Sequence, residues 1–469
     1  MKGLFSSERP CGEGGYRHVL RLVIPLVLGN AAFMVMQFTD RILLARYSSD
    51  SIQASLPAGM LSFTLVSLFA MIAGYSGTFV SQYHGANDPK GCAKSCVAGL
   101  VLSVLFFPVF LALIPLCDWI FSLAGHAPEV LAEERKYAFW MILAGVPFGF
   151  HMSLNGYLVG RSHVTASTVA TVIEVAVNIG LDVVLIFGYC GCPAMGTEGA
   201  ALATFLAHFV GIGILLAVIF WDSSVRALPW REIARPDWGL VRRVARFGTP
   251  AGVQTFFDAG AFAFFSILVA RFDALSCATN NIALSINNLA FAPLMGFGAA
   301  ASILTGQFMG SRRPALAKTA GWRCLHLGWM YMAAVAIVFL ACPEFLIGLF
   351  RSPDAAYTTA DMIGLGRKLL LFMVLWGMFD TINVVIGGAL KGVGDTKFIM
   401  WLLIIANWFV WIPAELIVIW KGGDIMDVWI VMTTFFILFS GCTILRWNGG
   451  RWMSIQMIDD SSPSAEVRP

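Results

Sequence analysis

The chain has 469 residues, of which 58% are hydrophobic and only 13% are Asp, Glu, Lys or Arg, with a formal net charge of +3. Soluble globular domains carry about 25% charged residues, so this composition excludes that class and indicates an integral membrane protein. The basic residues form no stripe interleaved with aromatic residues, and we therefore expect no nucleic-acid partner.

Apolar stretches of about 20 residues or more recur along the whole chain, and each is long enough to cross a bilayer as a helix. The first 18 residues are polar and lack the pattern of a signal peptide, so we expect the first span to be retained. Twelve spans are predicted, at residues 19–46, 52–82, 94–118, 137–160, 165–188, 198–221, 247–272, 277–306, 318–342, 367–391, 397–420 and 425–447.

The basic residues predict the orientation of the spans. If the N-terminus is cytoplasmic, most of the 31 Lys and Arg residues fall on inner segments, as the positive-inside rule requires. Twelve spans then return the C-terminus to the cytoplasm. We expect a multi-pass protein of the plasma membrane, which in a bacterium is the inner membrane. The largest inner cluster joins the sixth and seventh spans and contains Arg226, Arg231, Arg235, Arg242, Arg243 and Arg246.

The sequence contains an internal repeat. A shift of 225 positions aligns "LLARY" (43–47) with "LVARF" (268–272) and "VSQYHG" (80–85) with "TGQFMG" (305–310), and a shift of 232 aligns "GYLVG" (156–160) with "GALKG" (388–392). Each unit holds six spans, an even number, so both copies enter the membrane in the same orientation. The repeat predicts an all-α membrane protein of two six-helix lobes related by a parallel internal repeat.

The same repeat predicts the domain organisation. The linker between the lobes is the arginine-rich segment described above. The tail is polar, which predicts a solvated and disordered segment. The predicted segments are a cytoplasmic N-terminal segment (1–18), an N-lobe (19–221), a cytoplasmic linker (222–246), a C-lobe (247–447) and a cytoplasmic tail (448–469).

Four aspartates lie well away from the ends of predicted spans, where a charged side chain costs at least about 2.5 kcal/mol. At about 1.5 Å per residue, Asp258 and Asp380 fall near the middle of the membrane in the second half of the protein. Asp40 and Asp182 both fall roughly 25 to 27 Å from the inner surface. Because of this cost, we consider the four aspartates candidates for a functional role.

Two more polar residues share the level of Asp40 and Asp182. Thr204 is about seven residues into the sixth span, and Asn178 lies one helical turn below Asp182 on the same face. Carboxylate, amide and hydroxyl oxygens suit a proton or a hard cation such as Na⁺. Glu174 extends this face by another turn, which adds a candidate for the ion path or the substrate cavity.

Structural roles compete with these interpretations. Asp40 precedes Arg41 and could cap the wet end of its helix, and Asp182 could be interfacial in the same way. Asp258 and Asp380 could pair with a neighbouring helix, and Glu174 could make a packing hydrogen bond.

The histidines and cysteines give weaker signals. His151, His208 and His326 are isolated in sequence, and we expect them to fill space. No His or Cys cluster has the spacing of a metal site. The ten cysteines are expected to be free thiols, although a disulfide between Cys190 and Cys192 is left open.

Two further residues are candidates for the substrate cavity or for gating. Pro25 interrupts the helix that carries Asp40, so a bend there would move the aspartate, although static curvature is the alternative. Trp376 belongs to an aromatic cluster in the tenth and eleventh spans that could bind flat cations through cation-π contacts, or simply pack.

Three segments together resemble the multidrug and toxic compound extrusion (MATE) family, in particular its NorM-like members, over nearly all of residues 15–450. They are Pro25 followed by Asp40, "NIGLDVVLIFG" leading to "GTEGAALAT", and "GGALKGVGDTK" after the tenth span. The resemblance implies a secondary transporter that exports amphipathic, often cationic drugs in exchange for H⁺ or Na⁺, with no other cofactor.

The resemblance also implies the site residues. The cation site of the family's N-lobe matches Asp40, Asn178, Asp182 and Thr204, and a second set in the C-lobe matches Asp258 and Asp380. The family commonly has a glutamate where this chain has Asp258. We expect a monomer that contacts the bilayer and small-molecule drugs.

Other functions remain open. A flippase or exporter of a lipid-linked or polar metabolite in a MATE-related family is the main alternative. A major facilitator protein would carry an Asp- and Arg-rich loop between the second and third spans, where this chain reads "YHGANDPKGCAK". An intramembrane enzyme would need a nucleophile with a base, or a metal cluster. We find only dispersed His, Ser and Cys and no phosphate-binding loop, so we expect no enzyme.

Overall fold

The computed structural model of the protein describes residues 14–350 and 359–458. These residues form helices and connecting loops, with no strand among them. Twelve helices are long and apolar enough to cross a membrane, which confirms the predicted number of spans and the all-α class. Most of the predicted N-terminal segment, up to residue 13, and the end of the predicted tail, from residue 459, lie outside the described residues.

The first six spans, here the N-lobe, contain nine helices. Three of the spans are built from two helices each, which meet at Tyr75, Phe106 and Ala144. The helices are α1 (Tyr16–Tyr47), α2 (Ser49–Gly74), α3 (Ser76–Gly85), α4 (Pro89–Leu105), α5 (Phe107–Ala124), α6 (Pro128–Leu143), α7 (Gly145–Gly160), α8 (Val164–Phe187) and α9 (Thr197–Trp221).

The last six spans, here the C-lobe, follow a linker with two short helices, α10 (Ser223–Arg226) and α11 (Trp230–Ile233). The eleventh span contains a π-helix, Ile405–Trp411, between α17 and α18. The remaining helices are α12 (Trp238–Val269), α13 (Ala274–Gly310), α14 (Pro314–Ala341), α15 (Pro343–Gly348), α16 (Thr359–Gly392), α17 (Thr396–Ile404), α18 (Ile412–Trp420) and α19 (Ile425–Asn448). The exact boundaries of the two lobes stay a prediction.

Aspartates outside the spans cap helix starts. The side chains of Asp88, Asp237 and Asp273 accept hydrogen bonds from the backbone N–H groups at the starts of α4, α12 and α13. Each such cap stabilises a helix by about 1 kcal/mol. The hydrogen bonds made by its cap lower the pKa of Asp273. These acids are therefore accounted for by helix capping, unlike the acids within the spans.

The two lobes contact each other at the end of the bundle where residues 222–237 connect them, which we call the linker end. Two equivalent hydrogen bonds cross there. The Gln82 Nε2 atom donates to the carbonyl oxygen of Gly392 over 3.1 Å, and the Gln307 Nε2 atom donates to that of Gly160 over 2.9 Å. Gln82 and Gln307 are related by the shift of 225, and Gly160 and Gly392 by the shift of 232. We call this reciprocal pair the glutamine clasp.

Two glycines allow the backbones to meet at the clasp. A Cβ atom on Gly85 would lie 1.9 Å from the carbonyl oxygen of Gln307, and one on Gly310 would lie 1.8 Å from that of Gln82. Neither position tolerates a side chain unless the backbone moves. The internal repeat is therefore visible as an approximate two-fold relation, and it closes the bundle at the linker end.

Candidate cation sites

Asp40 on α1 and Asp182 on α8 lie side by side in the N-lobe, with their carboxyl groups within hydrogen-bonding reach of each other. Asp182 is fully buried, whereas Asp40 is half-buried. Among the described residues, no donor forms a hydrogen bond with either Asp182 side-chain oxygen. Two ionised carboxylates this close repel each other, so the pair is stable when it shares a proton or binds a cation.

The other two residues of the predicted N-lobe site also contact each other. The Asn178 Nδ2 atom donates to the Thr204 Oγ1 atom over 3.5 Å, and Thr204 donates to the carbonyl oxygen of Ala200 over 3.1 Å. Asn178 is fully buried one helical turn from Asp182. The structure therefore places all four predicted residues in one region of the lobe. Their role as an ion site stays a prediction.

A cavity of about 260 Å³ lies beside these residues. Its walls are mostly apolar and aromatic, with a few polar groups that point inward, an arrangement typical of a small-molecule site. The polar lining residues are Gln37, Asp40, Arg41, Tyr137, Thr204 and His208, together with Ser55 and Ser62. The sequence analysis did not identify Tyr137, since it lies on a span whose inward face was not predicted.

Pro25 lies within α1, which continues through it without ending. Its carbonyl oxygen accepts a hydrogen bond of 2.8 Å from Thr168 on α8, and the Asn30 Nδ2 atom donates over 3.3 Å to the carbonyl oxygen of Ala292 on α13. The helix that carries Asp40 is therefore attached to both lobes near its proline.

The prediction that His151 and His208 only fill space is wrong, because both contact Glu174. The Nδ1 atom of His151 lies 2.9 Å from Glu174 Oε2, and that of His208 lies 2.8 Å from Glu174 Oε1. Glu174 therefore makes more than a single packing hydrogen bond. Counting depth along the spans could have found this cluster, because the three residues lie nine to thirteen residues from helix ends Gly160, Val164 and Trp221.

In the C-lobe, each aspartate contacts an amide. The Asn407 Nδ2 atom donates to Asp258 Oδ1 over 3.3 Å, and the Asn383 Nδ2 atom lies 3.5 Å from Asp380 Oδ1. Both acids are half-buried. They are close enough to interact electrostatically, and Asp258 also interacts with the ammonium group of Lys391.

The π-helix positions one of these amides. It contains Asn407, and its next residue, Trp408, donates from Nε1 to the carbonyl oxygen of Phe257 over 3.1 Å. Single π-helical turns are frequent at functional sites, where they change the direction of a side chain. The sequence analysis identified Asp258 but missed Asn407 and Lys391.

The remaining predicted residues have other surroundings. Trp376 is almost fully buried in the C-lobe core, where its ring centroid lies 4.6 Å from that of Phe436, and it is not on the wall of the N-lobe cavity. Cys190 and Cys192 are both free. His326 hydrogen-bonds the Tyr16 hydroxyl over 3.1 Å.

A bundle of twelve membrane-spanning helices, built as two repeats, with carboxylates inside the spans next to an apolar cavity, is typical of a secondary membrane transporter. The family model described as MatE matches residues 25–184 and again residues 250–417, which together make up well over half of the chain. The chain therefore belongs to the MatE family, a family of transporters. The two matches begin 225 positions apart, the shift found in the sequence.

Relatives and solved structures agree with this assignment. The chain is 29% identical over 417 residues to a probable multidrug resistance protein NorM of Pseudomonas putida, which covers 88% of this chain and 89% of the relative. A crystal structure of a MATE protein in complex with MaL6 has a TM-score of 0.83 at 21% identity and covers 96% of this chain and 98% of that one. An outward-facing multidrug resistance MATE transporter also has a TM-score of 0.83, at 19% identity, and covers 96% of this chain and all of that one. These structures share the fold.

Proposed function

We propose that this protein is a multidrug efflux antiporter, which exports amphipathic or cationic drugs across the bacterial inner membrane in exchange for H⁺ or Na⁺. The observation that carries the proposal is the fully buried Asp182 next to the half-buried Asp40, which lies on the wall of a mostly apolar cavity. The names of the NorM relatives support drugs as the substrate.

The pair supplies the coupling. An inward cation neutralises it, which removes the repulsion between the carboxylates and lets α1 pack differently against α8. Because α1 also contacts α13 through Asn30, a shift of α1 biases the contact between the lobes. Release of the cation to the cytoplasm restores the repulsion and resets the transporter.

The membrane potential drives this exchange when each turnover moves one net positive charge inward, as when one cation enters for a neutral drug or two enter for a monovalent cationic drug. One elementary charge that moves down 100 mV supplies about 2.3 kcal/mol. Since about 1.4 kcal/mol corresponds to a tenfold ratio, this energy supports roughly a fiftyfold gradient of exported drug. No nucleotide is required.

Accumulation of a fluorescent cationic drug in a drug-sensitive bacterium tests the proposal. Asp40→Asn and Asp258→Asn should each raise accumulation toward that of cells with an empty vector, at equal membrane expression. Asp118→Asn is the matched control, because Asp118 is an exposed acid paired with Arg135, outside both candidate sites. Normal export by both variants would refute the carboxylate mechanism.

The coupling ion needs its own experiment. A proton needs only the two carboxyl groups, whereas Na⁺ would also use the oxygens of Asn178 and Thr204. Export should be measured in proteoliposomes under a pure pH gradient and under a pure Na⁺ gradient. If neither gradient drives drug movement, the protein is not an antiporter of this type.

We further propose a monomer with both termini in the cytoplasm. The exposed thiol of Cys190 lies on the loop between α8 and α9, at the end opposite the linker. In a variant whose other nine cysteines are replaced by serine, a membrane-impermeant maleimide should label Cys190 from outside the cell, and the further change Cys190→Ser should remove that labelling. Labelling of Cys190 only after the cells are opened would contradict this orientation.

A further inference from the structure

A second polar cluster in the N-lobe lies outside the residues to which the proposed antiport assigns the coupling cation. It consists of His151 on α7, Glu174 on α8 and His208 on α9. His151 and Glu174 are each 6% exposed, whereas His208 is less buried and lines the cavity. Two imidazoles and a carboxylate from three helices therefore converge in the membrane-embedded part of the lobe.

Hydrogen bonding satisfies only one side of this cluster. The 2.8 Å contact between His208 Nδ1 and Glu174 Oε1 is an aligned hydrogen bond. The 2.9 Å contact between His151 Nδ1 and Glu174 Oε2 is short but misaligned, and neither atom has an aligned partner among the described residues. A buried polar atom in this condition costs about 1–3 kcal/mol, so the arrangement calls for an explanation.

The three donor atoms are positioned to ligate one ion. All three lie within 4.8 Å of one another. Ligands arranged tetrahedrally around a metal with bonds of about 2.1 Å are about 3.4 Å apart, so the two nitrogen–oxygen contacts of 2.9 and 2.8 Å would lengthen by roughly half an ångström when an ion enters. An ion among the three donors would accept electron pairs from both imidazoles and the carboxylate, and it would satisfy the atoms that the misaligned contact leaves unpaired.

We propose that His151, Glu174 and His208 form a binding site for a divalent first-row transition metal ion, with Zn²⁺ as the representative. Imidazole ligands suit Zn²⁺, Fe²⁺ or Ni²⁺, whereas Mg²⁺, Ca²⁺ and Na⁺ prefer sites made of oxygen alone. Because His208 faces the cavity, a fourth ligand would come from that side. A bound ion would hold α7, α8 and α9 together through one centre.

A glycine makes room for the carboxylate of this site. Gly211 lies three residues after His208, on the same face of α9, and a Cβ atom there would be 2.4 Å from Glu174 Oε2. Gly211→Ala therefore displaces the carboxylate and leaves all three ligand side chains in the chain. This substitution therefore changes the position of a ligand without removing any ligand.

Direct metal binding tests the proposal. The full-length protein should be purified in detergent without a polyhistidine tag, its thiols blocked with a maleimide and its metals removed with a chelator, and Zn²⁺ binding then measured by equilibrium dialysis. We expect one Zn²⁺ per chain, with an affinity that falls on the order of 100-fold in Glu174→Gln and at least about tenfold in Gly211→Ala. His326→Gln is the control, because it removes a histidine outside the cluster.

Two results would overturn the proposal: no stoichiometric Zn²⁺ binding by the unmodified protein, or binding by Glu174→Gln and Gly211→Ala equal to that of His326→Gln. Size-exclusion elution and helical circular dichroism establish that each variant is folded. If Glu174→Gln does not fold, Gly211→Ala and His151→Gln decide the question. The readout is independent of transport, so it stands or fails separately from the antiport proposal.

Discussion

The two lobes hold their buried aspartates in different ways. In the N-lobe, Asp40 and Asp182 approach each other, and Asp182 receives no hydrogen bond from the described residues. In the C-lobe, Asp258 and Asp380 each contact an amide, and Lys391 is near enough to interact with Asp258. In the N-lobe, Asp40 therefore interacts with Arg41 but Asp182 has no such partner in the part of the chain that the structure describes, whereas in the C-lobe each acid has an amide neighbour and Asp258 also has Lys391.

The comparison shows that the two repeats share the arrangement of their helices but differ in the charges and hydrogen bonds around their aspartates. The glutamine clasp is nearly the same from both sides, because it depends on backbone carbonyls and two equivalent amides. The carboxylate sites depend on individual side chains, and these have diverged. We expect the N-lobe pair to dominate coupling and the C-lobe acids to modulate it.

The largest effect should come from Asp182→Asn. It removes one of two adjacent carboxylates, so the pair no longer needs a cation and drug export is no longer coupled to cation entry. Drug accumulation should equal that of cells with an empty vector, whereas Asp380→Asn should retain measurable export. A C-lobe substitution that is more damaging than Asp182→Asn would reverse the ranking of the lobes.

The clasp tests whether the lobes are equivalent where their geometry matches. Gly85→Val and Gly310→Val should lower the melting temperature in detergent by similar amounts, because each side chain would collide with a backbone carbonyl and overpacking costs at least about 1–3 kcal/mol. Gly180→Ala is the control, since a Cβ atom there meets nothing within 4 Å. If one valine variant is as stable as the control, the two sides of the clasp are not equivalent.

The amides should show a smaller difference between the lobes. Asn407→Ala removes a hydrogen bond to a carboxyl group and should destabilise the protein by about 1.5–3 kcal/mol when Asp258 is ionised. Asn178→Ala removes a long hydrogen bond between neutral groups and should cost about 0.5–1.5 kcal/mol. Thermal melting at pH 8 of both variants measures this, and equal losses would argue against the charge difference.

The smallest effect should come from Thr204→Val, which keeps the shape of the side chain and removes its oxygen. Export driven by Na⁺ should then require severalfold more Na⁺, because one ligand is lost, whereas export driven by a pH gradient should not change. Half-saturation by Na⁺ in proteoliposomes is the measurement. A loss of proton-driven export would show that the hydroxyl has another role.

The sequence was sufficient to predict the fold because each membrane-spanning helix must be apolar and long enough to cross the bilayer. Apolar length set the number of spans, and the shift of 225 predicted the repeat that the family model matches twice. Counting residues from the helix ends also placed Asp40 and Asp182 at one level, where the structure has them adjacent. Depth can be counted along a helix from sequence alone.

The rotation of each helix about its axis and the packing between helices could not be predicted by counting residues. His151 and His208 seemed isolated because their partner Glu174 lies on a different helix, and the faces that meet depend on how three helices pack. The π-helix that contains Asn407 ends two residues before Pro413, and the breaks at Phe106 and Ala144 come shortly before Pro108 and Pro147. The break at Tyr75 lies between Gly74 and Gly77, so Gly and Pro mark these positions in the sequence, although they do not show which faces of the helices meet.

The glutamine clasp has a consequence for assembly. An interface with two-fold symmetry usually forms between two identical chains, where each supplies what the other accepts. In this protein, the two halves of such an interface belong to one polypeptide, and each half already satisfies the other. Within the clasp, each glutamine amide already donates to a glycine carbonyl of the other lobe. The two repeats of one chain therefore take the places that two subunits would take in a dimer.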